Sequence, residues 1–153
     1  MHYDNLLVEA EKIGLKVKEK PLNYGFKGLY KNNKIIIDKK VVSDAEKRCI
    51  LAEEIGHHFK TFGNILDQSD VSNVKKEKIA RNWAYEKLVG IVSLINAFNL
   101  GIRNRYELAE HLNVTEEFLE EAILHYKEKY GMYCEIDTYL VYFEPSLMVL
   151  KMF

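Results

Sequence analysis

A short run of acidic and histidine residues, AEEIGHH at positions 52–58, has the composition and spacing of a metal-binding helix. It differs from the motif H-E-x-x-H at one position, because Glu53 stands where the first histidine would be. Residues four apart on a helix share a face, so Glu53 and His57 point the same way. Glu54 is rotated from Glu53 by about 100°. In a zincin-type helix, that offset lets the carboxylate take a proton from a water held by the ion.

A catalytic zinc ion usually has three protein ligands, so this pattern requires one more. Glu77 follows His57 by twenty residues, early in the next predicted helix. If that helix packs antiparallel on the first, it brings Glu77 to the ion. Gly56 leaves room for a close approach to the helix. His58 points away from His57, and we interpret it as structural or as supporting a ligand.

The same residues also fit a simpler interpretation. AEEIGHH alone is an ordinary surface run of an amphipathic helix, and Glu77 lies in a lysine-rich cluster that solvent can cover. Trp83 and Tyr85 are typical core or interface aromatics. His2, His111 and His125 are expected at the surface without a role. Only the combination of the helix, its spacing and a downstream partner favours a metal site.

The local patterns of the first half predict helices around a small sheet. Apolar spacing predicts a helix over 3–13, and alternation predicts a strand that ends near Pro21. GLYKNNKIIID predicts a hairpin around Asn32-Asn33. Ser43 and Glu46 form a capping box that begins a helix running through His58.

The second half is predicted to be mainly helical. A polar loop after Gly63 leads to Ser72, the predicted cap of a long helix that Gly90 divides. Residues 104–130 predict a helix, a tight turn at Asn113 and a second helix capped by Thr115. The tail, rich in Tyr, Val and Phe, predicts a terminal hairpin or a pair of strands.

Two segments together resemble the ImmA/IrrE family of metallopeptidase-like proteins, which are common on phages and mobile elements. These segments are ILAEEIGHHF and EKIARNWAYEKL. In that family a ligand glutamate stands three residues before a small residue, as Glu77 stands before Ala80. Trp83-Ala84 occupies the place of the usual Phe-Ala, whereas Asn82 is displaced by one position. The resemblance covers most of the chain.

The resemblance implies an α+β fold with a zincin-like metallopeptidase core and a set of site residues. Glu53, His57 and Glu77 would bind the metal, and Glu54 would be the catalytic general base. The expected cofactor is Zn²⁺. Two glutamates bring more negative charge to the ion than the usual pair of histidines with one glutamate, so the ion becomes a weaker Lewis acid. The greater share of oxygen ligands makes Mn²⁺ or Fe²⁺ acceptable as well.

The helix pair at residues 104–130 has the spacing of a helix-turn-helix. A DNA-reading second helix carries basic or amide residues toward the major groove. This one carries four glutamates, which repel phosphates: Glu116, Glu117, Glu120 and Glu121. We therefore expect a packed helical pair and no DNA binding through it.

The whole chain fits one metallopeptidase-like domain with an appended unit. We predict a domain over residues 1–100 and a helical hairpin with C-terminal strands over 101–153, packed on the first. The net charge of −1 argues against a polyanion binder as a whole. With no leader, no membrane-length apolar run and two distant cysteines, Cys49 and Cys134, we expect a cytoplasmic protein with free core thiols.

Three functions fit these patterns. The leading one, implied by the resemblance, is a metal-dependent endopeptidase that acts on a repressor protein of a phage or mobile element and so relieves repression. The second is a catalytically inactive module of the same fold that binds a repressor, which the change at Glu53 keeps open. A DNA-binding regulator is the third and weakest.

Overall fold

The protein has an α+β fold. A computed structural model describes residues 2–63 and 73–153, and in these it contains six helices and two three-stranded sheets. The polar loop predicted after Gly63 and the predicted cap Ser72 lie outside the described residues. The helices are α1 (Tyr3–Lys12), α2 (Asp44–Gly63), α3 (Asn73–Leu88), α4 (Ile91–Asn99), α5 (Arg105–Leu112) and α6 (Glu116–Tyr130). The strands are β1 (Lys16–Lys20), β2 (Gly28–Lys31), β3 (Lys34–Asp38), β4 (Tyr133–Ile136), β5 (Tyr139–Tyr142) and β6 (Met148–Lys151).

The chain divides into two compact units, Met1–Ala84 and Tyr85–Phe153. The division falls inside α3, whereas the sequence patterns predict a boundary after residue 100. The last turn of α3 belongs with the second unit because its Tyr85 ring packs against Phe118, with ring centroids 5.0 Å apart.

The first unit is built around the central strand β3. The strand order is β1-β3-β2, with β1 parallel and β2 antiparallel to β3. Ile35 and Ile37 of β3 are fully buried on the face that α2 covers. Leu51 and Ile55 of α2 are buried with them, because side chains four apart form one apolar stripe on a helix.

The hairpin predicted at Asn32-Asn33 is confirmed. Both residues have positive φ, 49° and 62°, which a two-residue turn between right-twisted strands requires. Asparagine tolerates this left-handed region better than other side chains do. The turn sets the register between β2 and β3, in which Lys31 faces Lys34.

Helix α2 begins at the predicted cap but ends later than predicted. The backbone N–H of Glu46 donates to Ser43 Oγ over 3.3 Å, as a capping serine should accept. The Glu46 side chain instead pairs with Lys27, 2.7 Å away. The helix continues past His58 to Gly63 because residues 59–62 contain no glycine or proline.

In the second unit most local predictions are confirmed. Gly90 separates α3 from α4, and Asn113 is left-handed with φ 54°. Thr115 Oγ1 accepts from the backbone N–H of Phe118 over 3.1 Å, which caps α6. The tail, however, forms three antiparallel strands rather than two, because Pro145 interrupts the predicted second strand and β6 pairs with β5.

The prediction that His125 lies at the surface without a role is wrong. The residue is buried on α6, and its Nε2 lies 3.0 Å from Glu86 Oε2. Its ring also packs near Tyr85 and Tyr126. A histidine can occupy such a site because its ring packs as an aromatic while its nitrogen meets a carboxylate. His2 and His111 are exposed, as predicted.

Neither cysteine forms a disulfide within the described residues, as predicted; Cys49 is buried and Cys134 is partly exposed. Across residues 2–63 and 73–153, every helix is either too short or too polar to cross a membrane.

The hairpin turn generates a stability prediction. We expect Asn33→Ala to lower the free energy of unfolding by about 1–2 kcal/mol, because alanine in the left-handed region is strained. Asn33→Gly should cause no such loss, since glycine adopts positive φ freely. Urea unfolding of both variants measures the difference. Equal losses would mean that the side chain of Asn33, and not its backbone conformation, is what matters.

Candidate metal centre

Helices α2 and α3 approach each other very closely at Gly56. A Cβ atom added to Gly56 would lie 2.5 Å from the backbone oxygen of Ala80, a distance that real Cβ atoms do not reach. Gly56 and Ala80 are both buried. The close approach predicted at Gly56 is therefore the approach of α3 itself, and only glycine permits it.

This crossing brings His57 and Glu77 together. His57 is the residue after Gly56, and Glu77 lies three residues, or about one turn, before Ala80. His57 Nε2 and Glu77 Oε1 are 3.3 Å apart. The two side chains are 20% and 51% exposed, so the pair remains open to solvent.

The separation of these two atoms fits a shared ion. Two ligand atoms at zinc distances of about 2.1 Å in tetrahedral geometry lie about 3.4 Å from each other. An imidazole nitrogen and a carboxylate oxygen are also donors that zinc, manganese and iron accept. His57 and Glu77 therefore have the chemistry and spacing of two ligands of one divalent cation.

Glu54 has the properties of a proton acceptor at neutral pH. Burial, together with the negative charges of Glu53 and Glu77, raises the pKa of its carboxyl from 4.5 to about 7. A pKa near the working pH is optimal for a general base. Because the charges of Glu53 and Glu77 both raise the pKa of Glu54, the two carboxylates are close enough to interact electrostatically with it.

Strand β2 supports Glu54 and α2 from the sheet side. A Cβ on Gly28 would lie 2.6 Å from Ile50 Cγ2 and 3.1 Å from Glu54 Oε1, so glycine makes room for the Glu54 carboxyl. Two residues further along β2, the Tyr30 hydroxyl lies 2.8 Å from Nδ1 of buried His58. His58 thus links α2 to β2 through a hydrogen bond, which is consistent with the structural role predicted for it.

The third predicted ligand, Glu53, is not gathered with the other two. Glu53 lies on α2 one turn before His57 and is half-buried. Among the residues that the structure describes, no three or more His, Cys, Asp or Glu side chains are grouped so as to hold a metal ion. The structure therefore brings together two of the three predicted ligands, and the predicted base lies near enough to Glu77 for its charge to raise the pKa of Glu54.

Two residues that shape this site are absent from the sequence-based predictions. Gly28 and Tyr30 face α2 from alternate positions of β2, as the two-residue period of a strand requires. The sequence signal for this contact is Gly28 at the beginning of β2, because a glycine within a strand often marks a close approach of another segment. The partner that approaches, Glu54, cannot be read from the sequence.

No protein family and no curated protein matches this chain. The resemblance to the ImmA/IrrE family therefore depends on the sequence patterns described above.

The glycine contact generates a prediction about packing. Gly56→Ala should lower the free energy of unfolding by about 1–3 kcal/mol, because the new methyl group collides with the backbone of α3 and the helices must separate. Thermal and urea unfolding measure the loss. Gly90→Ala is the matched control: a Cβ there would lie 3.6 Å from its nearest neighbour, in ordinary contact. Equal stability of the two variants would contradict the close crossing.

The raised pKa of Glu54 generates a pH prediction for metal-free protein. Between pH 4.5 and 7 the folded state binds this proton more tightly than the unfolded state, so ionisation of Glu54 lowers stability as the pH rises. Glu54→Gln removes this cost and should stabilise the protein by on the order of 2–3 kcal/mol at pH 8, with little effect at pH 4.5. Urea unfolding at both pH values, with exposed Glu11→Gln as control, measures it. A pH-independent effect would contradict the burial of an ionisable carboxyl.

Proposed function

We propose that this chain is a divalent-metal-dependent peptide hydrolase whose site lies where α2 crosses α3. The observation that carries the proposal is the 3.3 Å pair of His57 and Glu77, together with Glu54, whose pKa is raised to about 7 in part by the charge of Glu77. A ligand pair next to a carboxyl with a strongly perturbed pKa is a combination typical of catalytic centres.

Each residue has a distinct role in this proposal. His57 and Glu77 hold the ion, and Glu53 is the expected third ligand. When bound, a divalent cation supplies Lewis acidity toward a peptide carbonyl and lowers the pKa of a water molecule. Glu54 accepts the proton of the attacking water and then donates it to the leaving amine. Its pKa near 7 makes both steps accessible at neutral pH.

The architecture of the first unit supports a zincin-like assignment. A three-stranded sheet packs on the helix that carries the motif, and a following helix supplies the partner glutamate. Together with the resemblance to the ImmA/IrrE family, this leads us to propose a zincin-like core. The same resemblance suggests the substrate class, a repressor protein of a phage or mobile element, and Zn²⁺ as the cofactor, with Mn²⁺ or Fe²⁺ as alternatives.

A specific observation favours a second candidate function. Glu53 replaces the first histidine of the motif and is not grouped with His57 and Glu77. With only two ligands in place, the chain would bind a repressor through the same surfaces and inactivate it without hydrolysis. The two candidates therefore differ in whether the ion is retained and whether Glu54 is needed.

Metal retention is the first test. Protein purified without chelator, incubated with Zn²⁺ and desalted, should contain about one ion per chain by elemental analysis. His57→Ala and Glu77→Ala should lose the ion because each removes one of the two ligands that lie together. The adjacent exposed residues of α5 give matched controls, His111→Ala and Glu110→Ala. Wild type and Glu77→Ala that are equally metal-free would disprove the metal centre.

Cleavage of a repressor separates the hydrolase from the binding module. With a repressor encoded beside this gene as substrate, Glu54→Gln should retain binding and metal yet slow cleavage by about 100-fold or more. Repressor inactivation by Glu54→Gln at the wild-type rate, without cleavage products on a gel, would establish the binding module instead.

A further inference from the structure

One face of the first sheet carries lysines on all three strands. Between residues 16 and 40 the sequence has eight lysines but only one Asp and one Glu. Five of these lysines lie within the strands, and all five are exposed. We call this surface the lysine face; it consists of Lys16, Lys18, Lys20, Lys31 and Lys34.

The alternation of the strands places these lysines on the side opposite α2. Glu19 of β1 pairs with Lys47 of α2, 2.6 Å away, so the neighbouring residues Lys18 and Lys20 point to the other side. Likewise Tyr30 of β2 contacts His58 of α2, which turns Lys31 outward. The lysine face is therefore separate from the candidate metal centre.

Three of the lysines form a row across the sheet. Lys16 faces Lys34 in the parallel pair, and Lys31 faces Lys34 in the antiparallel pair. Neighbouring strands are about 4.8 Å apart, so three positive charges lie side by side within about 10 Å. Along β1 the other two lysines continue at intervals of about 6.6 Å.

Nothing within the described residues neutralises this row. Two lysines elsewhere in the unit form ion pairs, Lys27 with Glu46 and Lys47 with Glu19, whereas the five lysines of the face form none within the described residues. Asp38 is buried and its Oδ1 accepts from backbone N–H groups. Like charges directly opposite on a sheet are destabilising, so the arrangement lowers the stability of the free protein and a bound anion would relieve that cost.

We propose that the lysine face binds the phosphodiester backbone of a nucleic acid without sequence preference. An ordered line of cations along and across extended strands suits a linear polyanion, whose charges are also regularly spaced. Base reading would require amide or arginine side chains directed at base edges. Two other outward residues of these strands are apolar: Leu29, which is exposed, and Ile36, which is partly exposed.

This surface is independent of the helix pair in the second unit. There the basic residues are engaged: Arg105 with Glu120, Lys129 with Glu86, and Arg103 with the ring of Phe98. The lysine face needs neither that pair nor hydrolysis, so the binding holds whether or not the proposed function is correct.

The test is fluorescence anisotropy with the full chain and labelled random-sequence DNA, as a duplex and as a single strand. The triple variant Lys16→Gln/Lys31→Gln/Lys34→Gln should raise Kd at least tenfold at low salt. For the duplex, the slope of log K against log salt should also become less negative by about 3, roughly one for each lost phosphate contact. The triple Lys12→Gln/Lys60→Gln/Lys151→Gln makes the same charge change at exposed lysines elsewhere and should change Kd less than threefold.

Thermal melting separates binding from folding. Removing three adjacent like charges should leave the melting temperature of the face variant unchanged or higher, so weaker DNA binding with a normal melt supports the proposal. Equal effects of the two triples would overturn it, because only net charge would then matter. So would the lack of any binding at about 50 mM salt.

Two other occupants are also tested. Exposed Tyr24 and Phe26 precede β2, and aromatic rings enter lipid interfaces, so vesicles of phosphatidylserine and phosphatidylcholine form a second arm. Tighter, face-dependent binding to vesicles than to DNA would assign the surface to a membrane. Face-dependent self-association in sedimentation velocity would assign it to a second copy of this chain. Either result overturns the nucleic-acid proposal.

Discussion

The close crossing of α2 and α3 at Gly56 is the contact on which the candidate centre depends. With no side chain at Gly56, the backbone of Ala80 lies directly against α2. The neighbouring residues of each helix then meet, which sets His57 and Glu77 3.3 Å apart. Any larger residue would move α3 outward and separate the pair. The ligand geometry is thus a consequence of helix packing, and the packing is a consequence of one missing Cβ atom.

The first sheet has two faces with opposite characters. Toward α2 it is mainly apolar and closely packed. There Gly28 of the edge strand makes room for Glu54, and Tyr30 contacts His58. This packing removes much of the Glu54 carboxyl from water and is the main cause of its raised pKa. Away from α2 the sheet is lined with lysines that form no ion pair within the part of the chain that the structure describes. The strand period of two residues allows one short sequence to build both surfaces.

Local signals predicted most of the elements, and tertiary context explains the differences. Ser43, Asn113 and Thr115 act where predicted because capping and left-handed turns depend on neighbouring residues only. The third strand of the second sheet depends on its pairing with β5. His125 was mispredicted for the same reason: it contacts Tyr85 and Glu86, which are distant in sequence.

The sequence by itself determined which residue types were available for chemistry and which helix carries them, since the spacing of Glu53, Glu54 and His57 follows from helix periodicity. It also determined the turn and the caps. Only the tertiary structure decided that Glu77 reaches His57, that Glu54 is buried enough to hold a proton near pH 7, and that three lysines from separate strands lie in one row. The physical reason is that these features depend on distances between segments, which are set by packing and by strand register rather than by local backbone preference.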